Sequence, residues 1–104
     1  MEHPDGTVLL SGHIDVPADR LAAVEVALAE HVRLTRAEAG CIFFNVDPDP
    51  AVAGRFSVSE AFVHQAAFDH HQQRAGGSPW AAASQGIPRR YEIRTVGGAE
   101  RDRH

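Results

Sequence analysis

The order in which two hydrophobic periods alternate along the chain constrains its fold more than any single motif. Residues 7–15 alternate loosely and are rich in Val, Leu and Ile, which reads as a strand. Leu21, Val24, Leu28 and Val32 then recur at helical spacing, with Glu25, Arg33 and Arg36 on the other face. A helix over residues 18–39 follows, opened by Val16-Pro17-Ala18-Asp19 and stopped by Gly40. Residues 41–46 are β-branched and aromatic, and Asp47-Pro48-Asp49-Pro50 closes them. Arg55–Phe62 alternates clearly, with Phe56, Val58, Glu60 and Phe62 on one side, so the two segments form a hairpin with a longish loop. A short helix over 65–74 ends at Gly76-Gly77. Ser78-Pro79 offers an N-cap and a first-turn proline for a helical turn over 80–85, and residues 89–96 alternate as a last strand. Residues before Thr7 and after Gly97 read as loose tails.

The order β-α-β-β-α-(α)-β is the ferredoxin-like α+β arrangement, a four-stranded antiparallel sheet with helices on one face. At 104 residues this is one domain, with its ordered core at about 7–96. Helices on one face leave the other bare. Alternating apolar residues there predict a partner, most simply a second copy packed sheet to sheet.

Composition removes several classes of function. Net charge is 10 − 14 = −4 with scattered arginines, which argues against binding nucleic acid. All ten cationic side chains are Arg, so Schiff-base chemistry and a lysine base are excluded. No apolar run approaches the ~20 residues that cross a bilayer, and no signal pattern opens the chain, so a cytoplasmic protein is expected. The single Cys41 forbids an intrachain disulfide; with nothing cationic near it in sequence, it reads as inert packing.

Candidate chemistry gathers between Gly40 and Tyr91. On the 65–74 helix, Ala67 and Phe68 define a buried face that His71 shares, while Asp69 and Gln73 look outward. His71 is therefore either a core histidine bonded to a backbone carbonyl or Glu60, or a polar group in a ligand cavity. An imidazole there can orient a substrate hydroxyl or take its proton. Glu60 points inward with Phe56 and Val58 and must be paired or line a pocket, because an unpaired buried carboxylate is costly. Asn45, on the side of Cys41 and Phe43, is a strand-end turn former or a pocket donor. Trp80 is a core plug, a dimer contact or a lid. His64, His70 and His71 crowd one segment, yet none stands i, i+3 or i, i+4 from another, so no metal site is expected.

Glu38-Ala39-Gly40-Cys41, Glu60-x-Phe62, Ala67-Phe68 followed by His71, Ser78-Pro79-Trp80 and Tyr91 stand in the order found in the antibiotic biosynthesis monooxygenase (ABM) family. The chain resembles that family over about residues 7–96. The resemblance implies a dimeric α/β barrel that oxidises quinols or anthrone-type phenols with dioxygen, without metal, flavin or haem. Family members usually carry Trp where Phe62 stands, and Ser or Thr where His64 stands. A related branch degrades haem, but His71 falls where that branch has Trp and Ala81 where it has its iron-binding His. The leading expectation places His71 as base and Asn45 on the developing oxyanion. Phe43, Glu60, Phe62, Phe68 and Trp80 would line the cavity. A non-catalytic dimer that binds a small aromatic or only assembles, and an oxygen-independent isomerase or cyclase, are the rival expectations.

Overall fold

A computed structural model describes residues 3–97. Strand β1 spans Val8–Asp15, and a 3₁₀ turn at Ala18–Arg20 leads into helix α1, Leu21–Arg36. Strands β2 (Cys41–Pro48) and β3 (Arg55–Phe62) follow, then α2 (Gln65–Gly76), α3 (Pro79–Ala83) and β4 (Arg89–Thr95). The sheet is antiparallel throughout in the order β2-β3-β1-β4, which is the ferredoxin-like topology expected from the sequence. Among the described residues no helix is long and apolar enough to cross a membrane. The tail expected after Gly97 lies outside them. Ahead of β1, where a loose tail was expected, residues 3–6 form a turn. Thr7 donates from both its amide and its hydroxyl to the Pro4 carbonyl, and the Gly6 amide reaches Val96 O at 2.9 Å.

Alternation in β1 and β3 places Val8, Leu10, Ile14, Phe56, Val58 and Phe62 on the face that the helices cover. They form two apolar clusters. One joins Ile14 and Phe56 to Val24 and Leu28 of α1 and to Ile87; the other joins Val8, Leu10, Val58 and Phe62 to Phe68 of α2. On the opposite face the expected apolar alternation is absent. Ser11, His13, Ser57, Ser59, Arg90, Glu92 and Arg94 stand there in register, and Leu9, Phe43 and Ala61 make a small apolar centre. On the helix side of β4, Tyr91 and Ile93 remain exposed.

Helix α1 ends three residues earlier than its pattern suggests, with Ala37 closing it through bonds to the last turn's carbonyls. Gly40 is not its left-handed stop, for its φ is not positive. It serves as a point of close approach instead. A Cβ on Gly40 would stand 2.3 Å from the Ala67 Cβ, so only glycine lets the start of β2 pass against α2. Gly40→Ala should therefore cost about 1–3 kcal/mol by overpacking, read as a lower urea midpoint. An unchanged midpoint would mean that α2 moves away freely.

Candidate active site

Helix α2 carries the central side chain, and its start fixes which way that side chain faces. The His64 Nδ1 accepts the Ala67 amide at 3.1 Å, so an imidazole fills the N-cap place usually taken by Ser or Thr. From that start Phe68 and His71 fall on the buried face, and His71 is 2% exposed. Its ring sits against Phe62 at 4.8 Å and Phe44 at 5.7 Å between centroids. Nδ1 lies 3.0 Å from Glu38 Oε1, just beyond α1. The other Glu38 oxygen accepts from Arg74 Nε, and the Arg74 guanidinium also donates to the Thr35 hydroxyl at 3.0 Å. A carboxylate salt-bridged to arginine can only accept, so the proton of a neutral His71 is on Nδ1 and the lone pair on Nε2. Burial lowers the His71 pKa, and the Glu38 bond opposes that shift without cancelling it.

Nε2 faces Glu60 of β3, whose Oε1 stands 3.9 Å away. Glu60 is 7% exposed and Oε1 meets no hydrogen-bond partner. Burial, with some help from the nearby Glu38 charge, pushes its pKa up to about 7. Proton acceptor and proton store therefore stand side by side near neutral pH. Both line a cleft of about 430 Å³, within the range of small-molecule sites. Trp80, His31, Ala81 and Tyr91 are among its walls, and Gln72, Gln85 and Arg89 form an exposed rim. Trp80 is set by α3, which Pro79 opens at its first turn; the Ser78 hydroxyl bonds back to Ala75 O at 2.6 Å rather than capping the helix. Arg20 and Arg89 donate to carbonyls at and beyond the end of α3 and pin it to the 3₁₀ turn and to the start of β4.

Three of the seven side chains expected at the site, His71, Glu60 and Trp80, line this cleft. Phe62 and Phe68 lie behind His71 in the apolar core, at 1% and 5% exposure. Phe43 and Asn45 do not join them. A register shift between Cys41 and Phe43 inserts one extra residue in β2, so Phe43 pairs with Ala61 and Asn45 with Ser59 on the opposite sheet face. Phe44 takes the inward place, 2% exposed, and the Asn45 amide oxygen instead accepts from Arg36 at 3.4 Å. His31, Thr35, Glu38 and Arg74 were missed as site residues. The spacing of Val24, Leu28, His31 and Thr35 is itself a helical face and could have revealed two of them.

The sequence profile of the Antibiotic biosynthesis monooxygenase family matches residues 7–81, well over half of the chain. The chain belongs to the ABM family. No curated protein matches it. Among solved structures, a proposed antibiotic biosynthesis monooxygenase from Deinococcus radiodurans superposes with a TM-score of 0.75 at 22% identity, covering 86% of this chain and 92% of that one. MupZ from Pseudomonas fluorescens gives 0.75 at 17% identity over 99% of this chain and 78% of its own. SnoaB from Streptomyces nogalater, a cofactor-independent oxygenase solved in a mutant form, gives 0.73 at 14% identity over 88% and 94%. At these identities the likeness shows the ABM fold.

The buried titratable groups of this ABM chain pull its stability in opposite directions. His31 is held neutral by burial, its pKa lowered from 6.5 to about 4, and His71 is shifted the same way. Between those values the unfolded chain takes protons first, so the histidine contribution is lost as pH falls from about 6.5 to 4. Glu60 is raised from 4.5 to about 7, so the folded state holds the extra proton and stability falls as pH rises across that window. The two slopes oppose each other where they overlap. Glu60→Gln should expose the histidine slope and gain up to about 3 kcal/mol above pH 7, seen in urea unfolding from pH 4 to 8. A variant profile parallel to that of the parent would mean that Glu60 titrates as an ordinary carboxyl.

Proposed function

We propose that this chain is a cofactor-independent monooxygenase that oxidises a small phenolic or quinol-type aromatic with dioxygen. The observation that carries the reading is the His71 lone pair: Nδ1 is tied to Glu38, and Nε2 stands 3.9 Å from the unpartnered Glu60 oxygen in a ligand-sized cleft. That gap is too long for a direct hydrogen bond. A substrate hydroxyl about 2.8 Å from each would bridge them. His71 then takes the substrate proton and Glu38 stabilises the imidazolium, while Glu60 in its acid form donates to the oxyanion. Glu60 thus takes the part that Asn45 was expected to play.

The electron-rich anion is the reductant. A phenol and dioxygen give a quinone and water: one oxygen atom enters the ring, the other leaves as water, and the substrate's own four electrons reduce both. The protein supplies deprotonation and orientation, with Phe62 and Phe44 packed on His71 and Trp80 in the cleft wall. SnoaB, a cofactor-independent oxygenase on the same fold, supports the reading. His71→Ala should lower protein-dependent oxygen uptake with dihydroxynaphthalenes, anthrones or hydroquinones at least about tenfold while circular dichroism is kept. An unchanged rate would remove His71 as base. The exposed rim of Gln72, Gln85 and Arg89 leaves the cleft open to water, which favours a second reading as an aromatic-binding module or an oxygen-independent isomerase or cyclase. Ligand binding without uptake above autoxidation would select it.

We read the working form as a homodimer joined across the open sheet face, where Leu9, Phe43 and Ala61 form the apolar centre. Phe43→Glu should convert it to a monomer in sedimentation. A parent chain that sediments as a monomer would refute this.

A further inference from the structure

One polar group in the cleft wall has no part in the chemistry above. His31 of α1 is 5% exposed and surrounded by rings. Trp80 stacks on it at 5.1 Å and 8°, Phe44 meets it edge-on at 5.2 Å, and His71 lies 5.7 Å away. The stack fixes the plane of the imidazole and leaves its edge as the only polar surface. Nδ1 has no hydrogen-bond partner, and no side chain or carbonyl among the described residues bonds Nε2. An orphaned buried nitrogen is costly, and a phenylalanine would fill the same space without that cost. The ring also separates the cleft from a void of about 20 Å³ beside Glu30, Ser78 and Pro79, room for at most one water.

We infer that His31 is a substrate-binding residue whose edge hydrogen-bonds a second oxygen of the aromatic, so that the cleft selects fused aromatics bearing two oxygens over those bearing one. This rests on the reading of the cleft as an aromatic-substrate site. The first oxygen sits between His71 and Glu60, and the second reaches the Trp80-stacked imidazole, whose ring centre lies 5.7 Å from that of His71. Burial holds the His31 pKa down to about 4, so the ring stays neutral and offers one donor and one acceptor. Nδ1 is enclosed, so the ligand oxygen meets Nε2, which donates to a phenolate or quinone carbonyl in one tautomer and accepts from a phenol in the other. Substrate and oxidised product are thereby held in the same orientation.

Calorimetric titration under argon tests this without turnover, using 1-naphthol against 1,4-, 1,5- and 1,8-dihydroxynaphthalene. The parent should bind at least one dihydroxy isomer about tenfold more tightly than 1-naphthol, the worth of one buried hydrogen bond. His31→Phe keeps the ring stack and removes both nitrogens. It should bind 1-naphthol within about twofold of the parent, lose the preference for the second oxygen, and unfold at higher urea. His31→Gln should retain part of the preference, and His31→Leu carries the same readings should the Phe variant fail to fold. A preference that survives in His31→Phe overturns the inference and leaves a water in the small void as the imidazole's partner; so does a parent with no preference. A parent that binds none of the four removes the aromatic-site reading with it. A His31-dependent preference without oxygen uptake in air keeps the inference and removes only the monooxygenase.

Discussion

The Glu38 carboxylate is the joint on which the rest of the site depends. It stands just past the end of α1 and accepts from two α2 side chains, His71 and Arg74, while Arg74 returns to the Thr35 hydroxyl of α1. Two helices that are far apart in sequence are thereby locked in one rotational setting. Both carboxylate oxygens are occupied, so neither His71 nor Arg74 is left as an uncompensated charge or dipole. Removing the carboxylate would strand both, and a partly buried group left alone in this way costs about 1–3 kcal/mol. The same bond decides the chemistry, because it settles which imidazole nitrogen carries the proton and which faces the cleft.

Around that joint the core is divided. Apolar clusters built on Ile14 and Phe56 at one end, and on Val8 and Phe62 at the other, flank a polar seam of His31, His71 and Glu60. Neither an unpartnered imidazole nitrogen nor an unpartnered carboxyl oxygen helps a domain of this size to fold. The seam persists because the clusters on either side, together with Phe44 packed against both histidines, hold its side chains in place. The seam breaks local rules of stability, and the flanking packing offsets the cost.

Element order was legible because it rests on periodicity, which survives in any context: β3 appears with the bounds its alternation predicts, and β1, α2 and β4 within two residues of theirs. Depth along the inward face was legible too, which brought out His71 and Glu60. What failed was alternation across a bulge. Nothing in Cys41-Ile42-Phe43-Phe44 announces an extra residue, and a single one exchanges Phe43 for Phe44 and sends Asn45 to the other face. Partners joined only by the tertiary fold, such as Glu38 with Arg74 across 36 residues, have no signature in a linear pattern. His31 was different: its spacing with Val24, Leu28 and Thr35 was readable, but a helical face is normally taken as apolar.

The departure at Phe62 acquires a physical meaning in this arrangement. The family usually places an indole there; this chain has a phenyl ring, 1% exposed, that packs on His71 and Phe68 and has no polar edge to offer. The polar aromatic surface of the cleft is found instead on the helix side, where Trp80 of α3 stacks flat on His31 of α1. An imidazole fixed against an indole presents a flat apolar face and a hydrogen-bonding edge together, which is what an indole alone would supply. The difference lies in how each is anchored. A residue at 62 is held between the sheet and α2. The Trp80 ring rides on a helix of five residues, tied to β4 and to the 3₁₀ turn through the arginine bonds of Arg89 and Arg20. The cleft is thus walled on that side by a short helix held through two arginines, and on the other by His71 and Glu60, with Glu38 behind them.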